Sequence, residues 1–212
     1  RPTAAETLVT EAGLGPADIA YAVADAGTGE ILESRAPGRP LPPASVAKAV
    51  TALYALDRLG PAHRFRTDLL AAGTVRDGRL EGDLILAGSG DPLLQTNDLA
   101  RLAERLKAAG IVEVTGGLRV WEGALPRVDR IDPGQPEHVG YNPAVSGLNL
   151  NFNRVHFEWR RSGAGVAVSM DARSDRYRPA VQVARMRVVS RAGPVYTYED
   201  GGEVDEWTVA AG

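Results

Sequence analysis

Ser45 and Lys48 are the pair whose residue types and spacing could do chemistry in this chain. They stand in the stretch LPPASVAKAVTALYALDRLG, residues 41–60, with the lysine three positions after the serine. On a helix, residues three apart share a face, so the hydroxyl and the amine become neighbours. A serine beside an amine able to take its proton is an activated nucleophile of the acyl-transfer type. Ser45 is also well placed to be only an N-cap, because Pro42-Pro43 suits a helix start. S-x-x-K alone arises by chance in roughly half of chains this long, given ordinary Ser and Lys usage. The setting must therefore carry the reading.

That setting is apolar. From Val46 to Leu56 nearly every residue is apolar or small, and Lys48 is the only charge before Asp57. Val46, Ala47, Val50, Leu53, Tyr54 and Leu56 surround the predicted helix on all sides, the pattern of a core helix covered all round. A lysine in such a place meets a desolvation cost that favours its neutral, proton-accepting form. Composition adds to this, since of 24 basic residues only Lys48 and Lys107 are lysines. Arginine stays protonated and cannot serve as a base.

The elements that must position the pair follow from pattern and punctuation. TAAETLVTEAGL predicts a short N-terminal helix ending at Gly13 or Gly15, and DIAYAVADAGTGEILESR predicts a hairpin about Ala26–Gly29. The candidate helix spans about 45–59 and stops at Gly60-Pro61. From about Phe65 the chain turns strand-rich, reading as three short strands with a turn at Asp77-Gly78. TNDLARLAERLKAAG predicts an amphipathic helix capped by Thr96 or Asn97, with Leu99, Leu102, Ala103 and Leu106 as its apolar stripe and Gly110 as its end. IVEVTGGLRVW reads as one strand, and residues 122–143 form a Pro-, Gly- and charge-rich loop too long for a simple connection. The alternation in SGLNLNFNRVHFEWRR, then AGVAVSMDA, AVQVARMRVVSR and EVDEWTVAAG, predicts further strands. The class is α+β: a hairpin plus helix, then a separate, mostly β segment.

Several function classes drop out. The net charge of −3 and the lack of a basic run leave no electrostatic footprint for nucleic acid. No segment has the length of a membrane span. With no cysteine, disulfides and thiolate metal sites are impossible. His63, His138 and His156 are not at ligand spacing, and neither H-E-x-x-H nor G-x-S-x-G occurs, so no metal is expected. The loop bearing Arg127, Asp129, Arg130, Asp132, Glu137 and His138 is a charged, solvated segment in which Asp132 and Glu137 are candidates for substrate contact. The chain starts at Arg1, a start that a removed signal peptide or a cloning boundary would explain.

Residues 42–94, PPASVAKAVTALYALDRLGPAHRFRTDLLAAGTVRDGRLEGDLILAGSGDPLL, resemble the class C low-molecular-weight penicillin-binding proteins, the D-alanyl-D-alanine carboxypeptidase/endopeptidase family. The matching elements are P-A-S-x-x-K, the helix ending L-G-P, the F-R-T junction, G-x-L-x-G-D-L and G-x-G-D-P; the later YNPAVSGLNLNFNRV is similar to a further family segment. The resemblance implies a β-lactamase-like transpeptidase domain, represented here by residues 1–65, interrupted by a sheet-rich inserted domain, residues 66–212. It implies a periplasmic or extracytoplasmic location, a peptidoglycan stem-peptide substrate and no cofactor. Ser45 would be the acylated nucleophile, Lys48 its proton acceptor, and β-lactam antibiotics covalent inhibitors acting at Ser45. Gly88-Ser89-Gly90-Asp91-Pro92 is read as structural, a turn with Asp91 as its cap.

The family's S-x-N and K-T-G motifs are absent. Ser89-Gly90-Asp91 is the nearest approach to the first, and Lys107 is followed by Ala108-Ala109. The expectation is thus a nucleophile-bearing half that needs a C-terminal remainder, in the same polypeptide or as a second chain, for its second serine, substrate strand and an oxyanion-hole N–H. The rival from another class is a non-catalytic scaffold or peptidoglycan-binding protein with this fold, against which the retained Ser45/Lys48 pair argues. A β-lactamase-like hydrolase is disfavoured by the β-rich segment that follows the helix.

Overall fold

The protein is described by a computed structural model covering residues 3–15, 17–163 and 165–211. Ala164 and Gly212, at the edges of two predicted strands, lie outside the described residues. The chain divides into two compact units, Arg1–His63 and Arg64–Gly212.

The first unit begins with α1 (Ala4–Glu11). Thr3 caps it reciprocally with Glu6, the hydroxyl accepting the Glu6 N–H and the carboxylate accepting the Thr3 N–H. Strands β1 (Tyr21–Ala24) and β2 (Ile31–Arg35) form the expected hairpin. Asp25 holds its turn by accepting the N–H groups of Gly27 and Thr28 at 2.9 and 2.8 Å. Glu33 of β2 accepts from Tyr21 Oη at 2.8 Å and from the Thr3 hydroxyl, joining the hairpin to the start of α1. A 3-10 turn, Ala44–Val46, leads into α2 (Ala47–Leu59), which Gly60 ends at a φ of 80°.

The cover that the apolar pattern of α2 calls for is not supplied by the hairpin and α1. No residue of α2 is buried: Val46, Val50, Leu53 and Tyr54 are 73, 70, 69 and 62% exposed. An apolar pattern states what a helix needs, and the short hairpin and α1 are too small to supply it. Val9 is the only apolar side chain of this unit that is buried among the described residues.

The second unit opens with two ten-residue strands, β3 (Thr67–Arg76) and β4 (Arg79–Gly88), where three short strands were predicted. The turn at Asp77-Gly78 is as expected, with φ of 48° and 80°. Gly73 and Gly82 face each other in register within one ladder. Their backbones approach so closely that a Cβ at either would sit 2.1 Å from a carbonyl oxygen of the other strand. α3 (Thr96–Ala108) follows, capped by Gln95, one residue before the predicted caps Thr96 or Asn97; the Asp98 carboxylate accepts the Gln95 N–H at 2.8 Å, and Gly110 lies just past its end.

The run IVEVTGGLRVW forms two strands rather than one, β5 (Glu113–Val114) and β6 (Leu118–Trp121), both parallel to β4. Asp83 makes the break, accepting the Gly117 N–H at 2.7 Å and Arg119 Nε at 3.1 Å. The Gly117 N–H first, then Arg119, hold its carboxyl below the usual carboxylate range.

The long loop is tied down by polar groups. Val128 and Val145 exchange both backbone hydrogen bonds, and Asn142, 1% exposed, accepts the Asp132 N–H and donates to the carbonyls of Asp132, Gln135 and Pro136. The predicted strand from Ser146 begins only at His156, because Asn151, Phe152 and Asn153 all take positive φ, between 51 and 58°. Asn tolerates that region well. Asn151 uses it to bond Thr96 and the Ala172 carbonyl.

The hairpin β7 (His156–Ser162) and β8 (Gly165–Asp171) follows. A last sheet places β11 (Asp205–Ala210) between antiparallel β10 (Tyr196–Asp200) and parallel β9 (Ala184–Val189). β10 was not among the predicted strands. At the end of β8, Arg173 forks onto both oxygens of nearly buried Asp171 at 2.7 and 2.6 Å and reaches Glu158 at 2.9 Å. Arg173 lowers the titration of Asp171; at Glu158, Arg160 is the larger cause and Arg173 the second.

Two predictions follow from this packing. Leu80 is fully buried, so Leu80→Ala should cost about 2–5 kcal/mol in chemical denaturation. Arg173→Met should lower the melting temperature most at neutral pH. The lowered carboxyl pKa values mean that the cluster's contribution is present above the unfolded carboxylate range and is lost as pH falls through the folded values. The gap between variant and parent should therefore narrow in acid, and a gap independent of pH would contradict the role given to the cluster.

Candidate active site

Ser45 sits where the chain turns into α2. Pro43 has φ −74° and ψ −18°, and Ala44 after it takes a φ of 43°, a region that costs a side-chain-bearing residue about 1–3 kcal/mol. The Val46 N–H closes the turn on the Pro43 carbonyl at 2.9 Å, and α2 begins at the next residue. Ser45 and Lys48 are thereby carried on continuous helical backbone. Lys48 Nζ donates to Ser45 Oγ at 2.7 Å.

The serine is not an N-cap. Val46 holds that position for α2, Pro43 for the 3-10 turn, and neither end has a side-chain capping bond. An amine and a hydroxyl at this distance can pass a proton without rearrangement. Both side chains are exposed, which gives a reactant access but removes the burial expected around Lys48. Within the described residues, distance and local backbone support the pairing, and desolvation does not.

The other sequence candidates are dispersed. His63 is an exposed residue of the first unit. His156 stands opposite Asp171 in the β7–β8 register. His138 packs on aromatic rings of the last sheet, 4.8 Å from Tyr198 and 5.4 Å from Trp207 between centroids. Among the described residues no three His, Asp or Glu side chains form a group able to hold a metal ion. In the charged loop, Arg127 pairs with Glu122 and Asp129, and Arg130 pairs with Glu137 at 3.3 Å. Asp132 Oδ1 accepts the Gly134 N–H at 2.8 Å.

The Gly88–Pro92 signature is structural. Asp91 Oδ1 accepts the Leu93 N–H at 2.9 Å, and the Gly90 N–H donates to the Gly147 carbonyl at 2.7 Å. A Cβ on Gly88 would lie 2.3 Å from that same carbonyl oxygen. The two stretches that carried the resemblance thus meet backbone to backbone. Sequence reading missed Asn142 and the Asp171–Arg173 fork, whose partners come from turns and neighbouring strands that no periodicity marks. It also missed the ring cluster of His138, Tyr196, Tyr198 and Trp207, although Tyr196 and Tyr198 stand two apart, the spacing of one strand face.

Comparison with known proteins places this geometry in context. Over 132 residues, 60% of this chain and 24% of the relative, the sequence is 38% identical to a D-alanyl-D-alanine carboxypeptidase of an Actinomadura species. It is 39% identical over 75 residues, 35% of this chain and 16% of the relative, to the D-alanyl-D-alanine carboxypeptidase DacB of Haemophilus influenzae. The chain therefore spans a quarter or less of the length of these relatives. The crystal structure of penicillin binding protein 4 (dacB) from Haemophilus influenzae superposes with a TM-score of 0.65 at 23% identity, covering 86% of this chain and 41% of that one. A complex of the same protein with a β-lactam gives a TM-score of 0.56 at 20% identity, covering 88% and 40%. These likenesses show the fold, α+β as expected, of a low-molecular-weight penicillin-binding protein. No helix among the described residues is long and apolar enough to cross a membrane. The family model for D-Ala-D-Ala carboxypeptidase 3 (S13) matches residues 3–209, nearly the whole chain, and the chain belongs to that family.

Proposed function

We propose that this chain carries the nucleophile and its base for a serine D-alanyl-D-alanine carboxypeptidase or endopeptidase acting on peptidoglycan stem peptides outside the cytoplasm. The observation that carries the reading is the 2.7 Å contact between Lys48 Nζ and Ser45 Oγ at the start of α2. Residues 1–63 would then belong to the transpeptidase-like domain, and the sheet-rich unit from Arg64 would be the inserted domain. The second serine motif and the substrate-binding strand are not among these 212 residues, and the reading requires them from outside.

The reaction uses the pair in two steps. Lys48 takes the hydroxyl proton as Ser45 Oγ attacks the carbonyl of the penultimate D-alanine. The C–N bond breaks, and terminal D-alanine leaves with a proton returned from the lysine. Water then attacks the Ser45 ester, losing a proton to the same amine, which passes it to Ser45 Oγ as the Oγ–C bond breaks; the shortened peptide departs as its carboxylate, its acid proton going to solvent. A β-lactam would enter the first step in place of the peptide. Its ring amide opens but the amine stays attached, so the acyl group remains on Ser45. The exposed apolar residues of α2 are assigned to packing against the rest of the transpeptidase-like domain.

The test is D-alanine release from a peptide ending in D-Ala-D-Ala, measured on the protein together with the portion bearing S-x-N and K-T-G. Ser45→Ala should abolish release. Lys48→Arg keeps the charge but cannot accept the proton, and should lower kcat by at least about 100-fold, the usual scale for losing a general base. Near-normal turnover by Lys48→Arg would remove Lys48 as the base, and turnover by Ser45→Ala would remove the nucleophile assignment.

A further inference from the structure

The β9–β11 sheet of the second unit carries a feature that the Ser45 chemistry does not use. Tyr196 and Tyr198 project from one face of β10, and Asp205 and Trp207 lie on the matching face of β11, with Tyr198 opposite Trp207 in register. Residues 137–140 pass over this face, where His138 rests against the rings. Beside it opens a cleft of about 380 Å³, lined in part by Glu137, Arg154, Phe157, Asp205 and Trp207. A shallower hollow shares His138, Met186 and Trp207 with this cleft and extends it to Val195 and Tyr196. Ring packing alone would hide these side chains, yet Tyr196 is 47% and Val195 74% exposed.

We propose that this trough binds a glycan strand, with sugar rings stacked on Tyr196 and Trp207 and sugar hydroxyls donating to Asp205 and Glu137. A pyranose offers an apolar face of C–H groups and a rim of hydroxyl donors. Aromatic faces carry partial negative charge that attracts such C–H groups, and carboxylates accept from hydroxyls. The trough presents both in one place, at a size within the roughly 300–1,000 Å³ of small-ligand sites. Tyr198 Oη donates to Asp205 Oδ1 at 3.1 Å, which orients that carboxylate and leaves its second oxygen for a ligand.

Charge selects against other ligands. Arg154 of the cleft lining donates through Nε to the Gly140 carbonyl at 2.8 Å and Arg130 is paired with Glu137 at 3.3 Å, so the nearby guanidinium groups are already engaged and an anion would face the Asp205 carboxylate. An ammonium group would need an open aromatic cage, and His138 lies over Tyr198 while meeting Tyr196 and Trp207 only edge-on, so no cage of three free ring faces is formed. The glycan assignment rests on the cell-wall reading above, since the stem peptide of that substrate is borne on a sugar chain.

The test is calorimetric titration of the whole chain with a soluble β-1,4-linked N-acetylglucosamine oligomer. Saturable binding is expected, at least about tenfold weaker in Tyr196→Ala and retained in Tyr196→Phe, which keeps the ring. Tyr196 is exposed, so its loss should not unfold the sheet, and the far-ultraviolet spectrum should be unchanged. Ser45→Ala should bind the oligomer like the parent. A parent protein that binds the oligomer but is not acylated by a β-lactam, with its S-x-N and K-T-G portion present, would count against the carboxypeptidase reading alone. No saturable binding, binding indifferent to Tyr196→Ala, or ring-dependent binding of a lysine-containing peptide in place of the oligosaccharide would each overturn the glycan site.

Discussion

Lys48 Nζ and Ser45 Oγ meet at 2.7 Å because the chain enters α2 through a 3-10 turn, with Ala44 held at a positive φ. Unwinding that turn would separate two side chains that have no other reason to point at each other. The Pro42-Pro43 pair limits how the backbone can reach the turn. A fixed nucleophile with its base one turn away is the least costly way to build an activated serine, since helical backbone does the positioning. The same helix leaves Val46, Val50, Leu53 and Tyr54 exposed, a continuous apolar surface of the kind that marks an interaction face. In the proposed function, that surface and the paired side chains belong to one larger domain.

The second unit is organised differently, by backbone groups brought unusually close. Gly73 lies against Gly82, Gly88 against Gly147, and Gly116 against the Gly82 carbonyl, each without room for a Cβ. Outside the regular ladders, loop and turn backbone groups are satisfied by asparagine and aspartate side chains. Asn142 holds the long loop, Asn151 links Thr96 to Ala172, and Asp83 holds the turn before β6. Such a unit can carry a surface trough on its last sheet while β4 and the turn before α3 supply the buried leucines. Leu80, Leu84 and Leu94 are the most deeply buried of these.

How far the sequence could be read follows from the range of each interaction. The Ser45–Lys48 contact, the β1–β2 hairpin, the Asp77-Gly78 turn and α3 depend on residues a few positions apart, and each was legible. The apolar pattern of α2 recorded a requirement for cover, and the short hairpin and helix beside it are too small to meet it. Three short strands were expected where β3 and β4 run for ten residues each, since a glycine that breaks a strand and one that allows two strands to touch look alike in sequence. The strand predicted from Ser146 failed at Asn151–Asn153, where side-chain bonds to Thr96 and Ala172, far along the chain, support a left-handed turn. The ring cluster needed the β10–β11 register to bring Tyr198 beside Trp207.

The central claim is that Ser45 Oγ is the atom that becomes acylated. It is tested most directly by exposing the protein, with its S-x-N and K-T-G portion present, to a β-lactam and mapping the adduct by peptide mass spectrometry. The account predicts one equivalent of the intact β-lactam mass, confined to the peptide containing Ser45. An adduct on any other residue, or equal modification of Ser45→Ala, would contradict it.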